Sequence, residues 1–378
     1  MGNPVASSTE APNPGNLYVT PVPEEESAAV FEKVNIFKNE YPDKLANFHN
    51  AIEECFQEHR EKPESRALKE RARDELQKFA TQVFPRCVVV TGGSTSTHLA
   101  MTESDLDVCL FVANKDGNYA EDRDSTDNIL KRFHDALQIR APQFVASILY
   151  ISRARVPIVR LIYTEDFGNL QADVTCNKID TMRTNHLVYH YVKFDDRVAT
   201  LNLVIKRWAT KIRMLDSFNG RLSSFSFTMM ILHYLQSVCS PPILPNLDKL
   251  RPTAFDRTGV WNIHHDRCVD PTLKERMPKN DLTVAELFLG FIAYYAQFSW
   301  EDFAIDVRSG KRLEIGWSAE DDAEYMVIDE PYERYNSART VSSEYEEYAI
   351  SKSFQTISKW IFEQGSLEPK KMFEEVQE

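Results

Sequence analysis

Paired cysteines are the first thing missing from this sequence. The 378 residues hold six, Cys55, Cys87, Cys109, Cys176, Cys239 and Cys268, placed singly with no CxxC pair and no zinc-site Cys/His spacing. That excludes a disulfide scaffold and a zinc module, and the thiols read as reduced ones in an intracellular protein. Long apolar runs are also absent. The longest, TVAELFLGFIAYYAQF from Thr283, carries Glu286 and falls short of the roughly 20 residues that a membrane span needs. The N-terminal stretch has neither the apolar run of a signal peptide nor the basic, acid-poor character of a transit peptide. It begins MGNPVA, with Ala6 where myristoylation favours Ser or Thr. No membrane association is expected. No GxxxxGK[ST] occurs, which excludes a P-loop kinase. Positive charge is in deficit as well: 44 Lys and Arg face 57 Asp and Glu, for a net charge of −13. Phosphate binding relies on Lys and Arg that release counterions, so any such role falls to local clusters, chiefly SRARVPIVR, IKRWATKIR and Arg221.

What is present is an ordinary globular balance, 43% hydrophobic and 27% charged, long enough for roughly two domains. Residues 1–26 are rich in Pro, Ser and Glu and read as a disordered segment. Over 27–80, apolar residues recur at three- and four-residue spacings with breaks near Pro42 and Pro63, which predicts helices. From Arg86 the pattern changes to short β-branched runs, CVVVTGG, LDVCLFV, ASILYISRARVPIVRLIY and LQADVTC, with a helix STDNILKRFHDALQI between two of them. Helical periodicity returns from 181 to 378. The fold class is therefore α+β. A small mixed β-sheet domain at 81–180 lies between two helical stretches, and the first of these is expected to pack with a larger, mainly helical domain formed by 181–378.

The sheet segment holds a pair of like charges that needs an explanation. In LDVCLFV and the residue before it, Asp105 and Asp107 alternate with Leu106 and Val108, so on a strand both carboxylates share one face while the apolar residues turn to the core. Two carboxylates side by side repel unless a cation lies between them, and hard divalent ions take carboxylate oxygens together with substrate phosphates. Upstream, Gly92, Gly93 and Ser94 follow a strand and offer a turn whose amides and hydroxyl can approach phosphate without a Cβ in the way. A phosphate cradle beside a metal-binding carboxylate pair is the chemistry this implies.

The order strand, Gly-Gly-Ser, short helix, turn, Asp-Leu-Asp resembles the polymerase-β-like nucleotidyltransferase superfamily. That family uses a third carboxylate on a neighbouring strand, and LQADVTCN supplies Asp173. The segments RLSSFSFTMMILHYLQ, LTVAELFLGFIAYYAQF and VIDEPYERYNSARTVSS are similar to the helical central domain of terminal uridylyltransferases and non-standard poly(A) polymerases. The resemblance covers about residues 80–360. It implies untemplated addition of nucleotides to RNA 3′ ends, with Mg²⁺ or Mn²⁺ held by Asp105, Asp107 and Asp173 in a two-metal arrangement. It further implies nucleotide contacts from Gly93, Ser94, Asn177, Thr184, Asn185, Lys206, Lys211, Ser224, Phe225, Glu330, Glu333, Tyr335 and Asn336. In this scheme Ser94 meets the γ-side phosphates, Lys206 and Ser224 the triphosphate, and Phe225 stacks on the base.

Three departures from the family pattern bear on the base and on the triphosphate. The family's Asn-Thr order is reversed in Thr184-Asn185, and the second lysine of its IKxWAK helix falls on Thr210, with Lys211 next to it. Uridine-selective members carry His just before the N-x-x-R stretch, where this chain has Tyr335 or, on the other alignment, Asn336. A site that only stacks discriminates weakly, so UTP is expected modestly ahead of ATP, with mixed use open. Two rival readings are another enzyme on the same catalytic domain, such as an oligoadenylate synthetase, and a non-catalytic RNA-binding scaffold. The DEPYERYNSAR segment disfavours the first, and the presence of all three aspartates disfavours the second. The sequence has no RNA-recognition motif, zinc knuckle or extended basic tail. A partner protein is thus expected to deliver the RNA, in the cytoplasm, with RNA granules or the nucleus as alternatives.

Overall fold

The computed structural model describes residues 22–251, 255, 272–314, 325–333 and 335–373. Residues 1–21, most of the segment expected to be disordered, lie outside them, as does Cys268. The first helix, α1 (Glu24–Glu40), takes in three glutamates that the composition had assigned to that segment. Acidic side chains suit a helix N-terminus, where the peptide dipoles present positive charge. Helices α2 (Pro42–His59) and α3 (Pro63–Val83) each begin on the proline that marks the break. Proline is tolerated there because the first helical N–H has no partner in any case.

A five-stranded mixed sheet follows, built from β1 (Cys87–Thr91), β2 (Leu106–Val112), β3 (Val145–Ile151), β4 (Ile158–Tyr163) and β5 (Gln171–Cys176). The strand order is β1-β2-β5-β4-β3, with β2 and β5 parallel and the other pairs antiparallel. The short α4 (Gly93–Thr97) links β1 to β2, and α5 (Arg123–Arg140) lies between β2 and β3. Beyond the sheet come α6 (Ile179–Phe194), α7 (Arg197–Lys211), α8 (Ser224–His233), α9 (Val284–Tyr295) and α10 (Glu344–Gln364). A small second sheet has Phe303–Asp306 at its centre, flanked by Lys311–Glu314 and Ile328–Asp329.

Two large apolar cores result. Val30, Val34 and Phe37 of α1 and Phe48 and Ile52 of α2 join Trp208, Tyr234, Phe288 and Tyr295 in the helical core. Ala72, Leu76 and Phe79 of α3 instead pack with Leu106, Val108, Val159 and Val174 of the sheet. The N-terminal helical stretch therefore divides at Pro63: two helices serve the helical half, and the third covers the sheet.

Candidate active site

Alternation along β2 and β5 determines which side chains leave the core. Leu106, Val108, Ala172 and Val174 are buried, while the intervening Asp107 and Asp173 face the other way. Asp107 and Asp173 are register partners across the parallel pair, so their backbones are about 4.8 Å apart, and Asp105 stands just before β2 begins. Burial, then the Asp173 and Asp105 carboxylates, push Asp107 up to about 6. Burial and Asp173 also raise Asp105. Like charges held this close are what a divalent cation would relieve, and three carboxylates supply hard oxygen donors of the kind Mg²⁺ takes.

Among the described residues no three His, Cys, Asp or Glu side chains close round one point. Two of the aspartates are held aside by neighbours. Arg160 on β4, the antiparallel partner of Asp173, grips its two oxygens through Nε and Nη2 at 2.8 and 2.7 Å. Gln171 donates from Nε2 to Asp105 at 2.6 Å.

Asp107 opens on a cleft of about 370 Å³. Gly93, Ser94 and Thr97 of α4 form one side of it, and Asn185 of α6, Lys206 and Thr210 of α7, and Ser224, Phe225 and Thr228 of α8 line the rest. Gly93 sits at φ +54°, and a Cβ there would run into the Asp107 carboxylate. Glycine thus satisfies both the left-handed turn and the close approach. Burial pulls Lys206 down to about 8, opposed by the Asp107 charge. The amide nitrogen of Asn185 is buried without a hydrogen-bond partner.

Six further residues expected at the nucleotide are placed differently. Asn177 is fully buried, accepting from the Val112 N–H at 2.9 Å and donating to the Ala120 carbonyl at 2.7 Å, so it fastens the end of β2 and is not among the described residues lining the cleft. Thr184 is also buried and donates to Glu330, so of the inverted pair only Asn185 faces the cleft. Glu330 in turn accepts from the backbone of Tyr332 at 2.7 Å and from that of Glu333, and so shapes its own loop. Glu333 joins that loop to α6 through Thr181 at 3.1 Å and Lys178 at 3.8 Å. Asn336 has three of its amide's four hydrogen-bonding positions taken by backbone: it accepts from Ile328 at 3.1 Å and Ala338 at 2.8 Å and donates to Met326 at 2.6 Å. Lys211, the last residue of α7, is not among the described residues lining the cleft; Thr210 is.

Tyr335 carries two guanidinium groups against its ring, Arg155 at 4.2 Å and Arg339 at 5.0 Å. Such cation–π contacts hold the ring by its electron-rich face. Arg155 and Arg160 belong to the basic cluster SRARVPIVR, whose partners its sequence does not reveal. The sequence shows Arg160 as the lone charge in the apolar stretch IVRLIY and Asp173 as the lone charge in LQADVTC, but not that the two stretches pair.

Family comparisons agree with this architecture. A family model described as "Poly(A) RNA polymerase, mitochondrial-like, central palm domain" matches residues 48–193, and one described as "Cid1 family poly A polymerase" matches 283–336. The poly(A) RNA polymerase GLD2-B of Xenopus laevis is 33% identical over 276 residues, covering 72% of this chain and 52% of that protein. Human GLD2 is 31% identical over 323 residues, 85% of this chain and 65% of its own length. The chain belongs to the nucleotidyltransferase family of non-standard poly(A) and poly(U) polymerases. It spans only about half to two thirds of the length of these curated relatives. Among solved structures, the GLD-2/RNP-8 complex matches at TM-score 0.73 and 27% identity over 87% of this chain and 98% of that one. The Cid1 poly(U) polymerase with MgGTP matches at 0.71 and 26%, over 87% and 99%.

Proposed function

We propose that this chain is a template-independent RNA 3′-terminal nucleotidyltransferase that uses ATP ahead of UTP. The observation that carries it is that Asp107 opens on a cleft whose other walls present Ser94, Lys206, Ser224 and Asn185, with Asp173 its register partner on the next strand and Asp105 two residues before it. The RNA 3′ hydroxyl attacks the α-phosphorus of the nucleotide, a new phosphodiester forms and pyrophosphate leaves. Asp105, Asp107 and Asp173 would hold Mg²⁺, which when bound makes the hydroxyl a better nucleophile and offsets charge on the phosphates. Lys206 and the hydroxyls of Ser94 and Ser224 bind the triphosphate, and Asn185 offers its spare N–H to the sugar edge. Phe225 supplies an apolar ring to one side of the bound nucleotide.

The preference for ATP departs from the sequence expectation, which put UTP modestly ahead. No His stands between Val327 and Ser337, and the Asn336 amide is taken up largely by backbone rather than aimed at a base edge. Two findings from relatives support this reading: the GLD2 proteins are poly(A) polymerases by name, and a His-to-Asn variant of Cid1 was solved bound to MgATP. Delivery of the RNA by a partner protein is part of the same proposal, given the net charge of −13 and the existence of a GLD-2/RNP-8 complex.

The test is extension of a labelled single-stranded RNA with each of the four NTPs in turn. Wild type should extend it best with ATP in the presence of Mg²⁺. Asp107→Ala should lose at least ~10²-fold in rate while melting as a folded protein, since it removes a ligand from charge-stabilised phosphoryl chemistry. Near-normal extension by that variant would remove the enzyme reading as drawn.

A further inference from the structure

Among the described residues, Arg160 is the one cation whose two-pronged grip falls directly on a member of the aspartate cluster. Its Nε and Nη2 sit 2.8 and 2.7 Å from the two oxygens of Asp173. The pairing is built into the sheet, because Arg160 and Asp173 are register partners on β4 and β5 while Asp173 and Asp107 are partners on β5 and β2. One row of three adjacent strands therefore reads Arg, Asp, Asp. The charges of Asp105 and Asp107 also reach Arg160. The pair is asymmetric in exposure: the Asp173 side chain is 17% exposed and that of Arg160 40%, so the guanidinium can withdraw into water while the carboxylate stays.

We propose that Arg160 is a resident counter-cation of the aspartate cluster: it holds Asp173 until a divalent ion binds, and must then surrender or share that carboxylate. This rests on the metal-binding reading of the three aspartates. A carboxylate has about four lone-pair directions, and a parallel Arg fork occupies two of them. A second cation entering beside Asp173 meets both the occupied oxygens and the repulsion of a fixed positive charge. Arg160 is thus a positioning residue that stabilises the metal-free cluster and sets the threshold at which metal enters. Gln171, which donates to Asp105, does the same for position without contributing charge.

Mn²⁺ binding to the full chain, followed by the electron paramagnetic resonance of free Mn²⁺ without RNA or nucleotide, tests this together with melting in chelator. Arg160→Gln should melt several degrees lower in chelator yet bind Mn²⁺ about tenfold more tightly, because a like charge a few ångströms from the ion has gone. Arg160→Lys, which keeps the charge but lacks the fork, should give a smaller rise in affinity in the same direction, and it serves if the glutamine variant does not fold. Gln171→Ala should leave Mn²⁺ affinity within about twofold of wild type, since no charge changes. Unchanged or weaker Mn²⁺ binding by both Arg160 variants, in a wild type that binds the ion, overturns the role of Arg160 alone. Failure of wild type and variants alike to bind Mn²⁺ overturns the carboxylate-metal reading and this inference with it.

Discussion

Gly93 shows how a single residue can answer to two constraints. Its φ of +54° is one that L side chains rarely adopt, and the space a Cβ would need belongs to Asp107. Gly93→Ala is expected to cost about 1–2 kcal/mol in stability from the backbone alone, measured by denaturant melts. It should also lower the tailing rate by at least ~10²-fold, because the aspartate has to move. A variant with wild-type turnover would show that Asp107 tolerates displacement. Tyr335 and Asn336 part company at this scale too. Tyr335 stands clamped by Arg155 and Arg339, and Tyr335→His should raise the UTP-to-ATP ratio of specificity constants about tenfold, a gain of about 1.4 kcal/mol. Asn336 is structural in its surroundings, with three backbone hydrogen bonds. Asn336→Ala should destabilise by about 2–4 kcal/mol at ~1 kcal/mol per bond and leave that ratio alone. A changed ratio without loss of stability would return base reading to Asn336.

Between elements, Arg197 fastens the α6–α7 turn to the segment before α9, and Lys274 also reaches Asp195, at 3.4 Å. Asp195 meets Arg197 at 2.9 Å, and Arg197 reaches on to the carbonyls of Asn280 and Leu282 at 2.9 and 2.8 Å. Burial alone would push the Asp195 carboxyl up, but the hydrogen bond and charge of Arg197 prevail and hold it below the ordinary range. A group whose folded pKa is lowered stabilises the fold above its unfolded value, near 3.9, and the contribution is lost as pH falls through the folded value. Asp195→Asn is therefore expected to be less stable than wild type by about 1–3 kcal/mol at pH 7. That gap should begin to narrow as pH falls below about 3.9 and close only below the lowered folded value. Urea unfolding at pH 7 and through the acid range checks it, and a gap that never narrows would assign the cost to packing. The segment 330–336 was legible as functional from its motif, but not the division of labour within it. Glu330, Thr184 and Glu333 spend themselves tying the loop to α6, and such pairings join residues 146 and 152 positions apart.

For the whole molecule, charge governs what the chain does unaided. With 44 basic against 57 acidic residues, the isolated protein is expected to bind single-stranded RNA in the micromolar range or weaker. The salt dependence should be shallow, near −0.7 in log–log slope for each phosphate contacted. Filter binding across a salt series measures both, and nanomolar binding that survives raised salt would reveal a further RNA surface. Among the described residues no helix is long and apolar enough to cross a membrane, in line with the broken hydrophobic pattern around Glu286. That glutamate is instead buried at the N-terminus of α9, where it completes the capping box of Thr283 and meets Lys38 of α1 at 2.8 Å.

The α+β class, the prolines that start α2 and α3, and the aspartates with their glycine turn can all be read from the order of residues alone. Each of these rests on local chemistry: side-chain periodicity, a fixed φ, or like charges two residues apart. Tertiary structure alone decided that α3 belongs to the sheet and not to the helices, since an amphipathic face shows that it is covered but not by what. It also decided that Asn177, Thr184, Glu330 and Asn336 hold the scaffold, because a polar side chain is equally able to bond backbone or ligand until its neighbours are in place. The same holds for Arg160. Its charge was visible in the sequence, but that it faces Asp173 depends on strand order, and strand order is a property of the folded sheet.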